Sequence, residues 1–257
     1  MTDATVRIGS GGRLHYFAVL DSTNTTAHRL ALGGAAQGDV VLADTQLQGK
    51  GRLDRVWQSP PGRNLYLSVI LKPPLAPTAA PQMTLMAGVA VAELLSPYCP
   101  GDVAIKWPND ILIKGKKICG ILTEMKTTSA AAVDFVILGI GINVNMIRED
   151  FDLPLRDTAT SLRIETGSVV DRLDIAGKLF ALLEKWYSVL LRDGFKGMRE
   201  DFLIYSDMVG KRIQVAFRQD TETGVAAGID EDGTILMKDG DGAIHRVSAG
   251  DVTIMKG

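Results

Sequence analysis

The chemistry of this chain is concentrated in the segment Gln46-Leu47-Gln48-Gly49-Lys50-Gly51-Arg52-Leu53-Asp54-Arg55-Val56-Trp57. Its glycine pair lets a backbone approach a ligand closely, and Lys50, Arg52 and Arg55 suit a phosphate or a carboxylate. Few of its residues can bury apolar surface, so an anionic ligand is what would order it. The segment has neither the Gly-x-x-x-x-Gly-Lys-Ser/Thr spacing of a Walker A loop nor a dinucleotide fingerprint, and a solvated surface loop has the same composition. A second group, Lys106-Trp107-Pro108-Asn109-Asp110, ends a short strand. The proline stops that strand, and a rigid turn beside an aromatic ring would fix Lys106 where it can neutralise a carboxylate and a phosphate as they react. The ordinary alternative is a strand-end lysine reaching to water. A third group, Gly139-Ile140-Gly141-Ile142-Asn143-Val144-Asn145, closes a buried strand. Two glycines inside a strand imply a bulge or a close approach by a ligand, and Asn143 reads first as a turn former.

The elements that must carry these groups follow from periodicity. Residues 14–20 are β-favouring and lead into Asp21-Ser22-Thr23-Asn24, a cluster able to cap a helix over 25–32 that Gly33-Gly34 ends. Val40–Ala43 reads as a buried strand. Residues 64–71 read as another, with Leu65, Leu67, Val69 and Leu71 on one face and Tyr66, Ser68 and Ile70 on the other. After a proline-rich stretch, the spacing predicts a helix over 83–95. Short strands follow at 103–106 and 111–113, then a hairpin turn at Gly115-Lys116-Lys117 and longer strands at 118–126 and 133–143. Asp171 can cap a helix to about 191 whose buried stripe is Leu173, Ala176, Leu179, Leu183, Trp186 and Leu190, and a second helix is expected over 198–205. Strands joined by short turns predict an α+β layer: a mixed, mostly antiparallel sheet with helices on one side. From Met208 onward, short β segments alternate with turns, the pattern of a small SH3-like barrel, and this places a boundary near residue 207, between domains of 1–206 and 207–257.

Composition bounds the partners. Of the 257 residues, 46% are hydrophobic and 23% charged, enough for a sizeable core. A net charge of −2 argues against a large nucleic-acid or anionic-lipid footprint, so any basic site must be local. No uninterrupted apolar run reaches the roughly 18 residues that span a bilayer, and the N-terminus lacks a secretory pattern. Cys99 and Cys119 match no metal or redox spacing and read as reduced thiols of a cytoplasmic protein.

Taken together, these segments resemble the catalytic domain of the biotin–protein ligases. The glycine- and arginine-rich loop of that family is matched by Gly49–Arg55 and Trp57, followed by Ser59-Pro60 and Gly62-Arg63-Asn64-Leu65-Tyr66. Its lysine motif is matched by Lys106–Asp110, its hairpin by Lys117-Ile118-Cys119-Gly120-Ile121-Leu122, and its Gly-x-Gly-x-Asn strand end by Gly139–Asn143. Asp21–Asn24 resembles its first biotin-contacting turn. The resemblance covers about residues 14–165, and the C-terminal part is similar to the family's small β-barrel.

The resemblance implies a fold like that of class II synthetases and a two-step reaction. Biotin and ATP, with Mg²⁺ neutralising the phosphates, give biotinyl-adenylate, and biotin is then passed to a lysine of a biotin carboxyl carrier protein or domain. Biotin binding falls to Ser22, Thr23, Asn24, Gln46, Lys50, Gly51, Arg52, Lys106, Gly120 and Gly139. Their hydroxyl and amide groups suit a ureido ring. ATP binding falls to Arg52, Arg55, Trp57, Lys106, Asn109 and Asn143, and catalysis to Lys106, Lys50 and Arg52; no residue is assigned as a protein metal ligand. A homodimer through an edge of the central sheet is also implied.

Lys50 stands where arginine is common in the family and lacks its planar fork, and Asp54 stands where many relatives have glycine. Three other readings remain: a lipoate–protein ligase of the same fold, a repressor sensing biotinyl-adenylate, and a non-catalytic binding module. The loop and lysine motif fit biotin better than lipoate. A catalytic turn beginning at Asp21 leaves no room ahead of it for a DNA-binding helix-turn-helix domain, so no DNA partner is expected.

Overall fold

The computed structural model describes residues 5–6, 11–129, 132–217 and 220–255. The chain runs through β1 (Thr5–Val6), β2 (Gly12–Leu20), α1 (Thr23–Leu32), β3 (Val40–Gln46), β4 (Leu65–Leu71), α2 (Gln82–Leu95), β5 (Val103–Lys106), β6 (Asp110–Ile113), β7 (Lys116–Ser129) and β8 (Ala132–Ile142). It continues through α3 (Leu162–Thr166), α4 (Arg172–Asp193), α5 (Arg199–Tyr205), β9 (Arg212–Phe217), β10 (Asp220–Ile229), β11 (Ile235–Lys238), β12 (Ile244–Val247) and β13 (Asp251–Ile254). Eight strands form one mixed sheet in the order β1-β2-β3-β4-β8-β7-β6-β5. Only β2 and β3 pair in parallel among the described strands of that sheet, consistent with α1 serving as their crossover.

The alternation on β4 sorts the core as expected. Leu65, Leu67, Val69 and Leu71 join the large cluster with α2 and α4, whereas Ile70 joins Val41, Phe135 and Ile137 beneath Ala27 and Ala31 of α1. Helices therefore lie on both faces, not one. The reason is that β3, β4 and β8 are apolar on both faces, and each apolar face needs a cover. α1 covers only part of its face. The rest of that face, carrying Tyr66, Ser68, Gly120, Leu122, Gly139 and Gly141, is where the site is built.

α4 begins where expected, with the Asp171 carboxylate accepting the Leu173 amide at 2.8 Å. Leu173 itself is 73% exposed, so the buried stripe starts at Ile175 and Ala176. Leu179→Ala should cost about 2–5 kcal/mol in urea unfolding, because Leu179 is fully buried. Leu173→Ala should change stability by no more than about 0.5 kcal/mol. Equal losses for the two would contradict the assigned face.

The hairpin turn is Lys114-Gly115, both at positive φ (50° and 76°), one residue earlier than read from the sequence. Among the described residues, Pro77–Leu95 is the stretch with the length and hydropathy to cross a membrane, and 67% of it is buried in the core. Cys99 and Cys119 are free and buried.

The C-terminal strands form a five-stranded antiparallel sheet, β12-β11-β10-β9-β13. It includes β13, which the sequence reading missed, and among the described residues its edge strands do not pair into a closed barrel. Its buried residues Ile213, Ala226, Ile229 and Ile235 continue the large core of the main sheet.

Candidate active site

The first turn of α1 and the end of β3 build the polar end of the site. Gln46 Oε1 accepts from the Thr23 amide at 2.8 Å and from the Thr23 hydroxyl at 3.1 Å, while its Nε2 donates to Ser59 at 2.9 Å. Ser68 lies 2.8 Å from the Thr23 hydroxyl and donates to Asn24 Oδ1 at 2.6 Å. Asn24 Nδ2 in turn donates to Glu124 at 2.7 Å. These groups fix one another's orientation, which is the condition for reading a polar ring by hydrogen bonds. Tyr66 closes the wall; burial pushes its phenol well above its ordinary pKa, and its hydroxyl donates to the Pro60 carbonyl at 3.1 Å.

Glycines form the floor. A Cβ on Gly139 would overlap Asn24 Oδ1, and Cβ atoms on Gly120 and Gly141 would lie 2.8 Å and 2.7 Å from the Trp57 indole. The close approach at the Gly139–Asn143 strand is by the protein's own side chains: Gly139 admits Asn24, and Gly141, with Gly120 of β7, admits the Trp57 ring. The Trp57 Nε1 hydrogen has no partner and is buried, a donor available to a ligand.

The cationic loop folds on itself as a small hairpin. The Trp57 amide donates to Gly49 O at 2.8 Å and the Gly51 amide to Arg55 O at 2.7 Å, with Lys50 bridged to Val56. Leu53 and Asp54 take the turn at φ 54° and 57°, a left-handed conformation that non-glycine residues adopt at a cost of about 1–2 kcal/mol each. Arg52 reaches Asn109 Oδ1 at 2.7 Å and Asp251 at 2.9 Å, and Arg55 pairs with the other oxygen of Asp251 at 3.4 Å. The C-terminal sheet therefore touches the loop directly. Lys50 approaches Glu124 at 3.9 Å.

Two cavities meet here. The smaller is lined by Ser22, Thr23, Asn24, Gln46, Lys50, Gly120 and Gly139 among others. The larger, about 260 Å³, is lined by Arg55, Lys106, Asp110, Asn143, Met146, Phe151 and Leu155 among others. Gly51, Arg52, Trp57, Asn109 and Lys117 line both. The structure thus gathers every site residue expected from the sequence but divides them differently. Lys106 lines the larger cavity only. Asn143 is 4% exposed and largely committed to structure, donating to Thr160 O at 3.0 Å and accepting from Asn64 at 3.2 Å; it forms no turn, and its partners are distant in the chain.

Lys117 is the residue that sequence reasoning missed. Its Nζ lies 2.7 Å from Asp110 and 5.4 Å from the centre of the Trp57 ring, at the junction of the cavities. Strict alternation would place it on the buried face with Cys119. A bulge intervenes: Ile111 opposes Cys119 and Leu112 opposes Lys117, so Ile118 is the extra residue and Lys117 turns to the open face. The quoted hairpin motif contained it, but only as a turn residue.

The sequence matches the model of the Biotin/lipoate A/B protein ligase family over residues 16–143 and that of the Biotin protein ligase C terminal domain over residues 209–255. The chain is 38% identical to the bifunctional ligase/repressor BirA of Bacillus subtilis, across 99% of this chain and 79% of that one. It is 33% identical to the biotin–[acetyl-CoA-carboxylase] ligase of Mycobacterium tuberculosis, across 100% and 94% of the two chains. A biotin protein ligase from Aquifex aeolicus, solved in complex with biotin and ATP, superposes with a TM-score of 0.80 at 28% identity, covering 95% of this chain and 99% of the other.

Proposed function

The chain belongs to the biotin protein ligase branch of the biotin/lipoate protein ligase family, and from that premise we propose that its two joined cavities take biotin and ATP, form biotinyl-5′-adenylate and pass biotin to a lysine of a biotin carboxyl carrier protein or domain. The observation that carries this reading is the cationic wall shared by the two cavities. A carboxylate from the smaller cavity and an α-phosphate from the larger would meet at Arg52 and Lys117. Ser22, Thr23, Asn24 and Gln46 hold the ureido end, and Lys50 closes the loop over it by its approach to Glu124. Trp57, Phe151 and Leu155 form the apolar walls for a base, with Arg55, Lys106 and Asn109 on the phosphate side.

In the first step a biotin carboxylate oxygen attacks the α-phosphorus and pyrophosphate leaves. Arg52 and Lys117 offset the charge that repels the approach, and Lys106 holds the phosphates from within the larger cavity. In the second step the acceptor amine attacks the anhydride carbonyl and AMP leaves. Among the described residues no three His, Cys, Asp or Glu side chains gather to hold a metal. Mg²⁺ would arrive on the triphosphate; Asp110 and Asp251, the carboxylates lining that cavity, are paired with Lys117 and with Arg52 and Arg55. The ion would screen phosphate charge.

Biotin is favoured over lipoate by the rigid Thr23–Gln46–Ser68 network, which answers a ring with both donors and an acceptor, and by the C-terminal match. In this reading residues 1–206 are the catalytic domain and 207–257 an SH3-like unit that supports the loop through Asp251. A homodimer through the sheet edge also belongs to it, since β7 past Gly120 has no strand partner on its side away from β8 among the described residues. Free, buried thiols support a cytoplasmic setting.

Biotin-dependent release of pyrophosphate from ATP tests the first step, and its absence would refute it. Lys106→Ala should raise the KM for ATP about tenfold with the KM for biotin nearly unchanged, because Lys106 lines the larger cavity alone. A matching rise in the KM for biotin would move Lys106 to the junction.

A further inference from the structure

Gln58 has no part in the motifs described above. It follows Trp57 in the chain and lines the larger cavity. Across that cavity runs a strap, residues 147–158, which contains two single 3-10 turns (Arg148–Asp150 and Leu153–Leu155) and supplies the walls Phe151 and Leu155. The strap is braced internally: Asp150 accepts the Ile147 amide at 2.9 Å, and Arg156 donates to Phe151 O at 3.0 Å. Its join to the Trp57 segment is made by the Gln58 side chain, with Arg63 3.5 Å from the Asp150 carboxylate as a second, longer tie further along the chain. Gln58 Nε2 donates to Asp150 O at 2.9 Å and to Asp152 Oδ1 at 3.3 Å, and Gln58 Oε1 accepts the Asp152 amide at 3.2 Å. An amide side chain pairing in both directions with a backbone fixes two segments in register, as a strand partner would.

We infer that Gln58 is a positioning residue that sets the spacing between Trp57 and the strap, and so the fit of the nucleotide base between them. The inference rests on reading the larger cavity as the ATP site. Gln58 touches no reacting atom. Its effect falls on nucleotide affinity because the segments it joins, Trp57 and Phe151–Leu155, face one another across that cavity alone; the strap does not line the smaller one.

The test is direct calorimetric titration of the full chain with ATP and, separately, with biotin. Gln58→Leu keeps the volume, adds no charge and removes every bond of the clasp. It should weaken ATP binding about tenfold, the scale of losing two or three partly exposed hydrogen bonds, while biotin binding stays within about twofold. Asp152→Asn keeps an amide oxygen as acceptor for Gln58 and leaves the bonds to Asp150 O and from the residue 152 amide intact. It should keep ATP affinity within about threefold of wild type. Unchanged ATP affinity in Gln58→Leu, an equal loss of biotin affinity, or Asp152→Asn as weak as Gln58→Leu would each overturn the inference. Wild type that does not bind ATP would overturn the reading of the cavity, and this inference with it.

Discussion

Lys117→Met should lower biotin-dependent pyrophosphate release about 10²–10³-fold in single-turnover assays, while the protein still folds. Its ammonium stands where the two cavities join, beside Arg52, and has Asp110 at 2.7 Å and the Trp57 ring beneath it. A carboxylate and a phosphate must come together at that wall, and a charge held in place before they arrive reduces their mutual repulsion without further reorganisation. Methionine keeps the stem and loses the charge. The substitution leaves the Asp110 carboxylate, 17% exposed, without its partner, which would itself lower stability. Asp110→Asn in the Lys117→Met background should therefore recover stability and not rate. A Lys117→Met enzyme within about fivefold of wild type would remove Lys117 from the reaction and leave the junction to Arg52.

Gly139→Ala carries the second large effect, at the opposite end of the site. The added methyl would occupy the place of Asn24 Oδ1, and Asn24 cannot yield freely because Ser68 and Glu124 hold it. Overpacking of this kind costs about 1–3 kcal/mol, which, if it falls on the bound state, is about 5- to 150-fold in affinity. The expected result is a KM for biotin raised within that range and a KM for ATP nearly unchanged, since Gly139 lines the smaller cavity only. Adding Asn24→Ala should relieve the crowding, so that the double variant is more stable than the two single losses predict. A Gly139→Ala enzyme with normal biotin kinetics would mean that Asn24 has room to move and that the glycine serves the sheet alone.

These two residues also show how far the sequence could be read. Gly139 was legible because a glycine inside an apolar strand lacks a packing reason, and close approach is the natural explanation. Lys117 was not. Its place depends on a bulge at Ile118, which reverses the face of everything before it, and no local pattern announces that extra residue. Helix and strand positions followed the periodicity closely, as in α4, where the Asp171 cap was correct and only the exposed Leu173 was assigned to the wrong face. The side of the sheet that α1 takes was missed because two-sided burial of β3, β4 and β8 shows only once neighbouring strands are aligned. Long-range partners were beyond reach for the same reason: Asp251 meets Arg52 across 199 positions of chain and Gln58 meets Asp152 across 94, distances at which periodicity carries no information. The turn at Leu53-Asp54 explains why Asp54 is a costly residue there, since both of its residues have positive φ, where glycine and asparagine are at ease.

The central claim is most directly tested by transfer itself. The purified chain, with biotin, ATP and Mg²⁺, is incubated with a biotin carboxyl carrier domain, and the acceptor is probed with streptavidin. The same acceptor with its target lysine changed to arginine serves as control. Labelling is expected to require ATP and the lysine, to release one AMP per biotin attached, and not to be supported by lipoate in place of biotin. Labelling that fails with the intact acceptor, or acceptor modification by lipoate and not by biotin, would contradict it.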